Sequence, residues 1–241
     1  MPRRPTRLVT ALALPIVGFA SIAAGCGGGS DQPSGPTIAP DATTIVETSA
    51  AAMGAVTSVQ FELDRTGAPV YIDAADAISL NSVIGRFNVP ESADAVVEVE
   101  VAGALTTELG AVAIGGDVWL SDPITGELQP LPAGIDLDPS NFFDPSGGWQ
   151  PLLEDLADVE LVGTDDGLYH LTGTASAERV EVITAGLVDG ADVVVDLWID
   201  PVTGLVGRVE FTTDLGDGDT HWVLTLSDYG ETFEIEPPPT D

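Results

Sequence analysis

The 241-residue sequence contains no lysine, one cysteine, two histidines and few aromatic residues (6%). All seven basic residues are arginines, three of them within the first seven positions, whereas Asp and Glu number 39 and the net charge is −32. Such an acidic surface repels phosphate backbones and anionic headgroups. We therefore expect no nucleic-acid partner and no electrostatic docking on a membrane.

The single cysteine, Cys26, has no partner for an internal disulfide and needs another explanation. It follows a basic stretch with three arginines, an apolar run over 8–20 and small residues at 23–25, an order typical of an export signal. A cysteine in this place matches a bacterial lipobox, whose thiol takes a diacylglyceryl group and becomes the N-terminus after cleavage. We predict that residues 1–25 are a lipoprotein signal peptide and that Cys26 is the lipid anchor.

Two alternatives for this segment are a plain secretory signal and an uncleaved membrane helix. A membrane helix is disfavoured by Pro15 and Gly18 and by an apolar span of about 17 residues, because a bilayer crossing needs about 20. We expect the protein to be exported and held on the outer face of the cell membrane by its acyl chains, since two or more chains anchor firmly where one is marginal.

Residues 26–40 begin with the expected lipidated cysteine and are rich in Gly, Ser and Pro, which is typical of a flexible linker. Residues 41–241 are interpreted as one folded domain, because about 200 residues suffice for one substantial core and are few for two.

Hydrophobic periodicity predicts a few helices and about ten strands in this domain. A first helix is expected over 41–56 with Asp41 as its N-cap, and Ser176 is expected to cap a later one. Further helices or helical turns are predicted at 138–140, 144–146, 150–157 and 176–185. Period-two alternation predicts strands near 58–64, 77–89, 97–101, 104–115, 117–121, 127–131, on both sides of 165–167, and at 193–199, 205–211, 222–226 and 232–236. Because strands and helices do not alternate, the fold class is α+β with a large antiparallel sheet.

No catalytic or metal-binding arrangement is visible in the sequence. His170 and His221 lie in predicted strands between apolar residues of opposite parity, which indicates that they face solvent or cross-strand neighbours. Asp214, Asp217 and Asp219 alternate with glycines but lack the spacing and length of a calcium loop, so a turn is expected there. We expect no enzymatic activity, no metal and no cofactor.

Five stretches of sequence carry a family resemblance: IVETSAAAMGAVTSVQFEL (45–63), NFFDPSGGWQPLLEDL (141–156), LTGTASAERV (171–180), LWIDPVTGLVGRVEF (197–211) and LTLSDYGETFEIEPP (224–238). In this order they resemble the opening helix and strand, an Asp-Pro-containing helical stretch, a strand-to-helix junction and the last strands of one family. That family is the LppX/LprA/LprF/LprG lipoproteins of mycobacteria and related actinobacteria.

The resemblance implies a single domain with a strongly curved antiparallel sheet, a half-barrel, and helices packed on its concave face, similar to the carriers LolA and LolB. It also implies an apolar cavity that holds the acyl chains of a lipid or glycolipid, for transport across the cell envelope. A membrane transporter is then a further partner, which the sequence does not name. The lack of lysine departs from the family and does not favour a polyanionic headgroup.

The apolar residues of each strand are taken as the concave face, which must be covered because it would otherwise expose a large apolar patch. Ile84 is one of the apolar residues expected to face inward. Gly85 and Gly110 are expected to mark bulges that shift the parity, so that Phe87, Val112 and Ile114 also point inward. The residues predicted to line the cavity are Phe61, Leu63, Ile78, Leu80, Phe87, Val97, Val99, Val101, Leu105, Leu109, Leu197, Val209, Phe211 and Leu224.

The few predicted helices either seal a dry core over this sheet or leave room for a ligand. A dry core would correspond to an anchored interaction or scaffold domain whose acidic surface meets a protein partner. An envelope hydrolase is a third hypothesis, disfavoured because no nucleophile–base pair is visible. The leading hypothesis is a lipid-anchored, non-enzymatic protein that binds or transports lipid.

Overall fold

Eleven strands of the described residues form one antiparallel sheet. They are β1 (Ser58–Gly67), β2 (Ile78–Asn88), β3 (Ser92–Val101), β4 (Leu105–Ile114), β5 (Asp117–Ser121), β6 (Leu128–Pro130), β7 (Ala157–Asp165), β8 (Leu168–Ala175), β9 (Val193–Ile199), β10 (Val206–Asp214) and β11 (Asp219–Ser227). Their spatial order is β6-β5-β4-β3-β2-β1-β11-β10-β9-β8-β7, so two meanders join along β1 and β11. The sheet stays open, with β6 and β7 at its edges. This is the predicted α+β half-barrel, with eleven strands instead of about ten.

The structure is a computed structural model that describes residues 40–73, 75–122, 125–131, 146–184, 186–188, 190–214, 216 and 218–238. The chain divides into two units, Met1–Ile38 and Ala39–Asp241, and the described residues belong to the second. The expected signal peptide and Cys26 lie outside the described residues. So do the expected turn at 138–140 and the first two residues of the one at 144–146.

In the described ranges three helices pack on the concave face: α1 (Ala42–Met53), α2 (Trp149–Glu154) and α3 (Ala177–Ile183). Each forms where periodicity predicts a helix and is a few residues shorter than expected. No helix in the described part of the chain has the length and apolar character that a membrane crossing requires.

The two predicted N-caps differ in their chemistry. The carboxylate of Asp41 accepts a hydrogen bond from the backbone N–H of Thr44 at 3.0 Å, as expected for the start of α1. Ser176 holds the N-cap position of α3, but its side chain makes no capping bond. The carboxylate of Asp192 accepts the N–H of Ala177 at 3.0 Å instead. The start of α3 therefore depends on a residue 15 positions away, which local sequence patterns do not reveal.

Over β8 and β9 the helices close a filled core. Leu171, Leu197 and Ile199 are at most 1% exposed. They belong to the same cluster of buried side chains as Met53 of α1 and Leu153 of α2. In this half of the sheet, large aliphatic side chains and helices together exclude solvent.

The turn between β9 and β10 lies against α1 and requires glycine. Gly204 has φ +75°, and a Cβ at this position would lie 3.3 Å from the Cβ of Ala52. The carboxylate of Asp200 accepts the N–H groups of Val202 and Thr203 at 2.8 and 2.7 Å. These hydrogen bonds favour the ionised form and hold the pKa of Asp200 below its ordinary value.

The lowered pKa of Asp200 predicts an acid-dependent loss of stability. Because the folded-state pKa lies below the unfolded-state value of 3.8, the stabilisation is present above about pH 4 and disappears as the pH falls through the folded-state pKa. Asp200→Asn should lower the free energy of unfolding at pH 7. In the variant this free energy should also fall less steeply as the pH is lowered. Urea denaturation at pH 7, 4 and 2.5 measures both. Identical pH dependence in the variant and the wild type would contradict this assignment.

The predicted last strand, 232–236, is wrong: residues 228–238 form no strand. The sheet offers them no free edge here, because β1 already pairs with β2 on one side and β11 on the other. Side chains bind the segment instead. The Ser58 hydroxyl donates to the carbonyl of Glu231 at 2.6 Å, and the Asn88 amide donates to the carbonyl of Phe233 at 2.9 Å.

Candidate functional site

A cavity of about 500 Å³ lies over the inner face of β1–β5, beside the filled core. Side chains of β10 and β11 border it on the filled side. Trp149 at the start of α2, and Ile183 and Leu187 at the end of α3 and just after it, border it on the helix side. The helices thus fill one half of the concave face and leave space over the other. The two arrangements that the sequence left open, a sealed dry core and an unfilled space, therefore occur side by side.

Small side chains on β3 and β4 explain why this half stays open. Ala93 and Ala95 on β3 and Ala111 and Ala113 on β4 all line the cavity. They occupy the inward positions that aliphatic side chains such as Leu171 hold in the filled half. Alanine at alternate strand positions is therefore a sequence signal for such a space.

Nine of the fourteen residues predicted to line the cavity do border it, and their role in ligand binding stays a prediction. They come from six strands, β1–β4, β10 and β11. These residues are Phe61, Leu63, Leu80, Phe87, Val97, Leu109, Val209, Phe211 and Leu224.

The other five predicted residues do not border the cavity. Val99 and Leu197 are fully buried (0% exposed) in packed regions. Ile78 pairs with Val101, and Val101 pairs with Leu105, in one row at the far end of the hairpins. Leu105, the first residue of β4, is 62% exposed. Local alternation indicates the inward parity of these residues, but the extent of the cavity along each strand depends on which distant segments pack over it.

The bulge in β2 lies between Leu80 and Ser82, not at Gly85 as predicted. The side chain of Asn81 holds it: its Oδ1 accepts from Nη2 of Arg65 at 3.2 Å and its Nδ2 donates to Oε1 of Glu98 at 3.3 Å. The extra residue shifts the parity of the strand, so Val83 and Phe87 border the cavity. Ile84, predicted to face inward, is 50% exposed as a result.

No bulge occurs at Gly110. β4 pairs with β3 in continuous register from Leu105 to Ile114, which corrects the second predicted parity shift. Val112 borders the cavity and Ile114 does not.

Gly85 instead makes room for an aromatic ring. A Cβ added to Gly85 would lie 2.4 Å from Cζ of Phe61 and 2.7 Å from the carbonyl oxygen of Asp94. The ring of Phe61 therefore lies directly against the backbone of β2 and forms part of the cavity floor. A side chain at position 85 must displace this ring.

Gly85→Ala should destabilise the domain by about 1–3 kcal/mol, because overpacking forces the Phe61 ring away from its site. Gly110→Ala is the matched control. Its added Cβ would find no atom closer than 3.8 Å, the hydroxyl oxygen of Ser121, so its stability should change little. Urea denaturation compares the two variants. Equal stability of both would show that the Phe61 ring yields without cost.

The cavity wall carries few polar groups and no unpaired charge among the described lining residues. The one carboxylate residue among them, Asp94, alternates with the inward-facing Ala93 and Ala95, so its side chain lies on the other face of the sheet. Arg86 binds it there, with Nε of the guanidinium 2.9 Å from Oδ1 and a second contact between Nη2 and Oδ2. This pairing raises the pKa of Arg86. The Thr184 hydroxyl donates to the carbonyl of Val180 at 2.8 Å. The wall therefore favours an apolar occupant.

Both histidines lie among cross-strand neighbours, as predicted. Nε2 of His170 is 2.8 Å from Oδ1 of Asp196, and the His170 ring stacks on Trp198 with a centroid distance of 4.5 Å. Nδ1 of His221 is 3.3 Å from the Thr212 hydroxyl. Neither histidine borders the cavity.

No three His, Cys, Asp or Glu side chains within the described ranges meet in a geometry suited to a metal ion. Between β10 and β11, where a turn is expected, the Asp214 carboxylate accepts the N–H of Gly216 at 2.9 Å. Asp217 lies outside the described residues.

Comparisons with known proteins agree with this architecture. A model of the LppX_LprAFG lipoprotein family matches residues 41–235. LprF from Mycobacterium bovis has a similar structure, with a TM-score of 0.65 and 18% identity over 83% of this chain and 97% of that chain. The Mycobacterium tuberculosis lipoprotein LppX has a TM-score of 0.54 and 18% identity over 80% and 97%. At 18% sequence identity, these two structural similarities show the fold alone. No curated protein sequence matches the chain.

Proposed function

The chain belongs to the LppX_LprAFG lipoprotein family, and from this premise we propose that it is a lipid-anchored envelope protein that binds acyl chains in its apolar cavity and carries lipid. The observation that carries the proposal is the space of about 500 Å³ left between the sheet and the helices. Its volume falls within the ~300–1,000 Å³ of typical ligand pockets. Each methylene group transferred from water into such an environment contributes about 0.8 kcal/mol.

The proposed role is binding and transport without catalysis. The cavity offers apolar contact and little chemistry, since the carboxylate of Asp94 is bound by Arg86 on the other face of the sheet and the hydroxyl of Thr184 donates to backbone. The two histidines of the chain are engaged elsewhere. An acylated lipid or glycolipid is the proposed partner class, and a membrane transporter remains a further proposal.

The proposed location is the outer face of the cell membrane, through acyl chains on Cys26. Two observations support it: the signal-like order of residues 1–25 before the lone cysteine, and the description of the matching family as lipoproteins. In this proposal residues 26–40 tether the anchor to the lipid-binding domain, 41–241.

Native mass spectrometry of the protein extracted under non-denaturing conditions tests the proposal. We expect a population with additional mass from non-covalently held lipid, which disappears after delipidation. An apo mass throughout, together with no binding of a fluorescent acyl probe, would contradict lipid binding. That result would favour the anchored scaffold domain instead.

A further inference from the structure

One side chain of the cavity wall carries a hydrogen-bond donor that no described residue accepts. Trp149, the first residue of α2, borders the cavity and is 3% exposed. Its indole N–H makes no hydrogen bond within the described part of the chain. By contrast, Nε1 of Trp198 donates to Asp165 at 3.2 Å, and Nε1 of Trp222 donates to the Thr213 hydroxyl at 3.0 Å. Because buried tryptophans usually have such a partner, the free N–H of Trp149 needs an explanation.

The N–H of Trp149 opens onto the cavity. Among the described residues, the Ser49 hydroxyl is the one fully enclosed polar side-chain atom without a hydrogen-bond partner. Nε1 of Trp149 also lacks a partner, so it is not fully enclosed by protein atoms. Because the residue is only 3% exposed and lies on the cavity wall, the space that Nε1 faces is the cavity.

The two hydroxyl groups among the described lining residues offer no equivalent donor. The Thr184 hydroxyl donates to the carbonyl of Val180 at 2.8 Å and accepts the N–H of Val188 at 3.2 Å. The Tyr71 hydroxyl belongs to a side chain that is 39% exposed, so water solvates it. Trp149 therefore supplies the enclosed donor that a ligand can use.

An enclosed N–H selects a ligand oxygen that accepts a hydrogen bond without donating one. The indole N–H is a donor only, and in apolar surroundings an unmet donor is costly whereas a bond formed there is strong. A ligand hydroxyl at this point would bring an O–H that the apolar wall leaves unpaired. The carbonyl oxygen of an ester or amide brings no such proton. Ile183 and Leu187, which also border the cavity on the helix side, suit the methylene groups of an acyl chain.

We propose that Trp149 is a specificity-determining residue, whose indole N–H binds the carbonyl oxygen of an ester- or amide-linked acyl group. The linkage then lies inside the cavity next to α2, and the chain lies along the apolar inner face of β1–β5. This inference rests on the proposed acyl-chain binding and specifies which atom of the ligand the protein recognises.

Heteronuclear NMR of the tryptophan indole N–H groups tests the contact without any change to the cavity. The sample is the full chain with Cys26→Ser, which removes the anchor, after delipidation. The ligands are methyl palmitate and octadecane, a hydrocarbon of matched length, each delivered from cyclodextrin. We expect methyl palmitate to move the Trp149 indole proton downfield and octadecane not to, because only the ester has an acceptor. The Trp198 indole, already bonded to Asp165, should not move with either ligand.

Displacement of a fluorescent acyl probe by the same two ligands measures the selectivity. Trp149→Phe keeps an aromatic ring in the wall and removes the N–H, so it should weaken methyl palmitate binding about tenfold relative to octadecane binding. The ratio of the two displacement constants cancels any change in affinity for the probe. Trp198→Phe is the matched control, since Trp198 does not border the cavity. It should leave the ratio unchanged.

The outcomes separate this inference from the proposed function. Binding of methyl palmitate with no downfield shift of the Trp149 indole proton would overturn the contact and leave lipid binding intact. So would an equal shift with octadecane, or a folded Trp149→Phe variant with the ratio of the wild type. Failure of the probe and of both ligands to bind the wild type would contradict the proposed function itself.

Discussion

Val97→Trp should abolish acyl-chain binding and leave the free energy of unfolding within about 1 kcal/mol of the wild type, because the larger side chain enters space that no protein atom fills. Val97 borders the cavity from β3, the middle strand of the five beneath it. Its cross-strand partners, Val83 on β2 and Leu109 on β4, also border the cavity. An indole at this position therefore occupies volume that the ligand needs. Probe binding and urea denaturation measure the two effects.

Val99→Trp is the matched control for this prediction. Val99 lies two residues further along the same strand and on the same face, but it is fully buried and does not border the cavity. The same substitution should overpack this site and cost about 1–3 kcal/mol or more, with probe binding retained in the folded fraction. A large loss of stability in Val97→Trp, with no probe binding by the wild type, would indicate a close-packed core and contradict lipid binding.

Cys26→Ser should move the protein from the membrane fraction to the soluble fraction. The wild type should partition into detergent and carry acyl chains on its N-terminal residue, because the thiol is the proposed attachment site. Serine has no thiol, so both properties should be lost. Detergent partitioning and mass spectrometry of the N-terminal peptide measure them.

The fold of the domain should not respond to this substitution, since residues 26–40 have the composition of a flexible linker. Thermal unfolding should therefore match the wild type. Ser34→Ala, within the same linker, is the control and should remain membrane-bound. A membrane-bound Cys26→Ser product without acyl chains would show that the apolar run over 8–20 is an uncleaved helix.

Sequence periodicity predicted the elements of the fold well where the signal was local. The strand containing Phe61 and Leu63 and the helix that begins at Asp41 form where the alternation and the N-cap indicate. Prediction from local sequence failed where contacts between distant residues determine the structure. The bulge in β2 depends on Asn81 binding side chains of two neighbouring strands, and α3 is capped by Asp192 rather than Ser176. The two consecutive polar residues at 81 and 82 were the only local trace of that bulge.

The sequence by itself determined the properties that reside in single residues and short periods: the acidity, the lack of lysine, the candidate anchor at Cys26 and the inward parity of most strands. The tertiary structure alone decided which inward residues border a space and which are packed. Val97 and Val99 are equivalent in any local pattern, yet the first borders the cavity and the second is fully buried. The physical reason is that alternation is set by the strand itself, whereas the covering of each position depends on which segments, distant in sequence, come to lie over it.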